Sequence, residues 1–132
     1  MEWFDELRRA QLAGLEPVNP EMAAWLRELG ALYLYGTIGS EAVLLPDGRV
    51  RIWNADQWPE SDAYTERDAT PLERIGSIVL GARRLPQLRA LLPERPAGTP
   101  DCACCAGTGD YPHAKGILCP TCEGLGWVPP AI

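Results

Sequence analysis

Histidine is all but missing from this sequence: the single copy, His113, lies in Tyr111-Pro112-His113, a loop-like context. One histidine leaves little scope for a nucleophile paired with a base. There is no glycine-rich phosphate loop, no Gly-x-Ser-x-Gly elbow and no His-Glu-x-x-His pair, so catalysis is not expected. Lysine is equally scarce, Lys115 standing beside eleven arginines, and the formal net charge is -6. An acidic chain is a poor electrostatic footprint for a polyanion, which argues against nucleic acid as a partner. No run approaches the roughly eighteen apolar residues that a membrane span needs. The opening Met1-Glu2-Trp3-Phe4-Asp5-Glu6 is acidic and lacks the basic and apolar regions of a secretory signal, so a cytoplasmic protein with no membrane partner is expected. Cysteine is absent before residue 102.

What is present is concentrated at the other end. All five cysteines fall in the final third, and in a reducing compartment C-x-x-C pairs point to metal binding or redox chemistry rather than to structural disulfides. Cys102-Ala103-Cys104-Cys105-Ala106-Gly107-Thr108-Gly109 is echoed by Cys119-Pro120-Thr121-Cys122-Glu123-Gly124-Leu125-Gly126. Both read C-x-x-C-x-G-x-G, and one shift of about seventeen residues also carries Pro112 onto Pro129.

At 132 residues the whole chain has room for one modest core plus an appendage. Trp3, Phe4, Leu7, Gln11 and Leu12 form a stripe that predicts an amphipathic helix over residues 2 to 13, closed by Pro17. Asn19-Pro20-Glu21 is a helix start: Asn caps, Pro needs no donor at the first position, and Glu suits the positive helix end. Met22, Trp25, Leu26 and Leu29 then share a face, and Gly30 is the stop. Pro46-Asp47-Gly48 between apolar runs predicts a tight turn, with Val50 and Ile52 facing the core and Arg49, Arg51 and Trp53 opposite. An antiparallel sheet of two or three strands follows. Residues 54 to 69, with Asp56, Glu60, Asp62, Glu66 and Asp68, read as an acidic surface loop and as the natural partner of Arg83, Arg84 and Arg89. Thr70-Pro71-Leu72-Glu73 has a capping-box pattern ahead of a helix over 71 to 84 with Leu72, Ile75, Val79 and Ala82 inward; Gly76, Ser77 and Gly81 weaken it and leave a short strand at 78 to 80 as an alternative. A short helix over 86 to 92 comes next. Among the tryptophans, Trp3 and Trp25 are expected in the core, and Trp53 and Trp58 at the surface or rim.

The expected fold is therefore α+β: a small antiparallel sheet flanked by N-terminal and C-terminal helices, then a zinc-knuckle or ribbon-like module. The boundaries fall at a body of residues 1 to 95, a Pro-rich linker of 96 to 101, a module of 102 to 128 and a tail of 129 to 132. Two C-x-x-C turns brought face to face supply four soft ligands for one tetrahedral Zn²⁺, namely Cys102, Cys105, Cys119 and Cys122. Each glycine pair suits a chain leaving its turn at positive φ or passing close to a neighbour. So short a segment cannot fold on apolar burial alone, and metal binding, worth about 10–16 kcal/mol in comparable peptides, would supply the difference. Four thiolates on one Zn²⁺ add two further negative charges. Cys104 is either a free thiol or a substitute ligand. Trp127 is either a buried plug or an exposed binding anchor.

The tandem C-x-x-C-x-G-x-G over residues 102 to 126 resembles the cysteine-rich zinc module of DnaJ-type chaperones. That family carries four copies and two zincs, so two copies imply one zinc per chain. The His-Pro-Asp of a J domain is missing, since His113 is followed by Ala114. What the resemblance implies is a zinc-stapled hairpin whose surface contacts other proteins. Trp25-Leu26-Arg27-Glu28-Leu29-Gly30, short strands around a Pro-Asp-Gly hairpin and a closing helix resemble SUKH-type domains, many of them bacterial immunity proteins. The expected function is a non-enzymatic zinc-binding protein-interaction module, immunity-like in that resemblance, with a protein partner and with homo-oligomerisation left open. The alternatives are a thiol–disulfide oxidoreductase or chaperone-like protein using a C-x-x-C pair, and a nucleic-acid-binding zinc protein.

Overall fold

The computed structural model describes residues 2–37, 40–55, 64–114 and 116–129. Helices α1 (Glu2–Leu15) and α2 (Pro20–Leu29) precede strands β1 (Leu32–Thr37), β2 (Ser40–Leu44), β3 (Val50–Ala55) and β4 (Tyr64–Asp68). Helix α3 (Pro71–Ala82), a 3₁₀ helix over Pro86–Leu91 and the cysteine module complete the chain. The fold is α+β, and no described helix is long and apolar enough to cross a membrane. Two compact units divide it, Met1–Ala69 and Thr70–Ile132, so α3 and the 3₁₀ helix group with the cysteine module.

In the first unit the caps work as their residue types dictate. Asn19 Oδ1 accepts from the Met22 N–H at 3.1 Å with Pro20 at the first position, and Gly30 ends α2 in the left-handed region at φ 67. Leu12, Ala23, Leu26, Ala31, Val43 and Leu45 form one core cluster against which α1, α2 and one sheet face pack. Trp53 packs against it, its ring edge-on to Trp25 at 5.0 Å, so it is half-buried at the rim of this cluster. Phe4 is buried at 3 % exposure, whereas Trp3 beside it is only half-buried. The opposite sheet face carries Leu32, Leu34, Ala42, Leu44, Val50 and Ile52, all buried.

The sheet is a meander, β1-β2-β3-β4, antiparallel throughout. Pro46-Asp47-Gly48 turns β2 into β3: Gly48 has φ 89, and Asp47 Oδ1 accepts from the Arg49 N–H at 3.0 Å. On the outer edge, Gln11 stands in for a neighbouring strand. Its Nε2 donates to Tyr33 O at 2.9 Å and its Oε1 accepts from Tyr33 N at 2.8 Å.

Two expectations need correction here. The acidic loop is in part a fourth strand, β4, paired with β3 so that Arg51 lies opposite Asp68 and Trp53 opposite Glu66. Arg51 bonds Glu66 at 2.7 Å and Asp68 at 3.3 Å, Arg49 bonds Asp68 at 3.2 Å, and Trp53 Nε1 donates to Glu66 at 3.2 Å. Glu66 and Asp68, two of the acids that the sequence assigns to Arg83, Arg84 and Arg89, are thus taken by Arg51 of β3 and by Arg49 just before it, because antiparallel register sets opposite charges face to face. The readings of Asp56, Trp58, Glu60 and Asp62 lie outside the described residues.

In the second unit α3 forms as a helix, not as a strand at 78 to 80. Thr70 and Glu73 complete a reciprocal capping box. Its buried face is Ile75, Gly76, Ser77, Ile78, Gly81 and Ala82, with Leu72 and Val79 only half-buried. The small residues that weaken helix propensity are the packing surface. A Cβ on Gly76 would lie 2.5 Å from Glu123 Oε2, so α3 approaches the module through its missing side chain.

Candidate metal centre

Cys102, Cys105, Cys119 and Cys122 are all buried, and their sulfurs lie within 4.8 Å of one another. Cys102 and Cys119 are 3.9 Å apart and Cys105 and Cys122 3.7 Å apart, far longer than the roughly 2.05 Å of a disulfide. Four buried thiols with so few apolar neighbours, Leu125 chief among them, could hold a metal ion.

The repeated sequence builds a repeated backbone, each copy closing the other. The Cys102 N–H donates to Gly126 O at 2.8 Å, and the Cys119 N–H donates to Gly109 O at 2.9 Å. After each second cysteine the chain enters the left-handed region, at Ala106 (φ 54) and Glu123 (φ 51), and the next glycines continue it at φ 84 for Gly107 and 92 for Gly124. The last glycine of each motif touches the first of the other: a Cβ on Gly109 would meet Gly124 O at 2.5 Å, and one on Gly126 would meet Gly107 O at 2.6 Å. Positive φ and close approach therefore both operate. Freed of side chains, the Gly109 and Gly126 N–H groups donate to the Cys105 and Cys122 sulfurs, each at 3.3 Å. The Asp110–Leu118 bridge ties the ends of the intervening loop.

No family model matches the chain. Neither the curated proteins nor the solved structures contain a significant match. The site is accordingly read from its own geometry.

Burial opposes charge on the thiols, but to unequal effect. At Cys119 the N–H groups of Cys122 and Thr121 outweigh it and bring the thiol down to about 6. At Cys105 the Gly109 N–H does the same in direction, while burial leaves Cys122 pushed up to about 12. A bound divalent cation would deprotonate the whole set. Burial, and then the charge of Glu73, holds the Glu123 carboxyl above its ordinary range.

Cys104 lies outside the cluster and is exposed. The Thr121 side chain is the largest single influence and lowers its pKa, but the Cys119 side chain, desolvation and the charges of Cys119 and Cys102 together outweigh it, so Cys104 stays above the ordinary thiol value. Trp127 is buried at 5 % exposure, as a plug would be and an exposed anchor would not. His113 is exposed, edge-on to Tyr111 at 5.4 Å. Arg83 reaches Gly116 O at 3.4 Å and Asp110 at 3.8 Å, contacts that its sequence neighbours do not reveal.

Proposed function

We propose that the chain is a non-enzymatic zinc protein in which one Zn²⁺ on Cys102, Cys105, Cys119 and Cys122 staples a surface that a protein partner contacts. The observation that carries this reading is the sulfur spacing of 3.7 and 3.9 Å. Four sulfurs about 2.3 Å from a central Zn²⁺ form a tetrahedron with edges of about 3.8 Å. All four positions are protein ligands, which suits a structural ion and leaves no place for a substrate. A cytoplasmic setting, where thiols stay reduced, suits such a site. The likeness of the tandem motif to DnaJ-type modules supports partner contact, and the SUKH-like order of the first unit supports an immunity-like form of it.

Thiol–disulfide exchange is the weaker reading, because it needs an accessible, activated thiolate. Exposures of the paired cysteines run from 0 to 4 %, and exposed Cys104 has a raised pKa. Elemental analysis of protein purified without added metal is expected to return one zinc per chain. Negligible zinc would overturn the reading, and affinity capture from the native cell would identify the partner.

A further inference from the structure

A cavity of about 300 Å³ lies within the second unit, lined by residues from α3, from the 3₁₀ segment and from both cysteine motifs. That volume is at the small end of the range for ligand sites. Its apolar lining is Val79, Ala82, Leu92, Leu118 and Leu125, and its charged groups are Arg83, Arg89 and Asp110. Arg83 and Asp110 stand 3.8 Å apart and offset one another. Arg89 is exposed, and its guanidinium makes no hydrogen bond or ion pair among the described residues. One uncompensated guanidinium beside a hydrocarbon-lined hollow is unusual in a chain whose net charge is -6.

We propose that this cavity binds a small apolar carboxylate, its hydrocarbon body against Val79, Leu92, Leu118 and Leu125 and its carboxylate on Arg89. Guanidinium forks match carboxylates with two parallel hydrogen bonds. A phosphate monoester fits less well, since its second negative charge would face Asp110 with no second free cation among the described lining residues to meet it. The same chemistry is offered by a free aliphatic acid and by the C-terminal residue of a peptide ending in leucine. The cavity adjoins the sulfur cluster through Leu125, which packs against the cysteines, but none of the four sulfurs lines it.

The test is an amide-resolved NMR titration of the full chain as purified, with metal content measured on the same sample so that loss of zinc and loss of ligand binding are read separately. The probes are isocaproate and a Gly-Gly-Leu peptide with a free C-terminus, each beside its neutral amide. Saturable shifts centred on Val79, Leu92, Leu118 and Leu125 are expected, with each amide binding roughly tenfold or more weaker because a charge-assisted hydrogen bond is lost. Arg89→Gln, at an exposed position that leaves the fold intact, should weaken the acid by a similar factor. Binding of the free acid alone marks a metabolite site, and binding of the peptide alone marks a reader of C-termini; both support the carboxylate assignment. No saturable shift from either probe up to about 10 mM, or equal affinity for acid and amide, overturns it.

Discussion

Gly98 and Gly109 have nearly the same backbone, φ 83 and φ 81, yet their surroundings differ. Nothing lies within 4 Å of a Cβ built on Gly98, whereas one on Gly109 would press on the Gly124 carbonyl at 2.5 Å. Gly98→Ala is therefore expected to cost only the left-handed conformation, about 1–2 kcal/mol. Gly109→Ala adds overpacking against backbone, a further ~1–3 kcal/mol. Urea denaturation of the two metal-loaded variants checks this, and equal losses would deny the interlocked-glycine account. Asp47 gives a second prediction at this scale. The Arg49 N–H, and then its guanidinium, hold the Asp47 carboxyl below its usual 3.8. A folded-state pKa depressed in this way contributes stability that is present above the unfolded value and lost as pH falls through the folded one. Side-chain carboxyl NMR should show Asp47 titrating below 3.8, and Arg49→Ala, which removes the guanidinium but keeps the N–H, should raise it only part of the way back.

Among the elements, legibility followed the kind of force involved. Helix α1 announces itself by its apolar stripe, and helix α2 and the turn at Pro46-Asp47-Gly48 do so because caps and turns are local hydrogen bonds. Strand β4 does not, since Glu66-Arg67-Asp68 has no apolar alternation and draws its partners from Arg49 and Arg51, some fifteen or more residues earlier. Helix α3 was ambiguous because helix propensity penalises the glycines that its packing requires. Of the site, the four clustered cysteines follow from spacing alone, while the cavity lining follows from no motif. The edge of β1 offers a test at this scale. Gln11→Ala leaves the Tyr33 N–H and C=O without their side-chain partners, at a cost of about 1–3 kcal/mol. Hydrogen exchange at the Tyr33 amide should quicken in the variant, and unchanged exchange would mean that Gln11 does not guard that edge.

At the scale of the molecule, the second unit poses the question of what folds it. Helix α3 has twelve residues, a length at which an isolated helix is marginal in water. The module's own cluster is four cysteines and the flanking Leu125, too little apolar surface to fold alone. The two meet where side chains are missing: a Cβ on Gly124 would lie 2.7 Å from Val79 Cγ1, and Gly76 lies under the Glu123 side chain. Glu123 and Gly124 directly follow Cys122 in the left-handed segment, so the surface that α3 rests on is set by the backbone of the second knuckle. Removing the metal should therefore loosen α3 as well as the knuckles. Hydrogen exchange before and after a strong chelator is expected to show the α3 amides from Ile75 to Ala82 losing protection by about tenfold or more, together with those of residues 102 to 126. If α3 kept its protection while the knuckles opened, the helix would be held by something other than the metal-closed module.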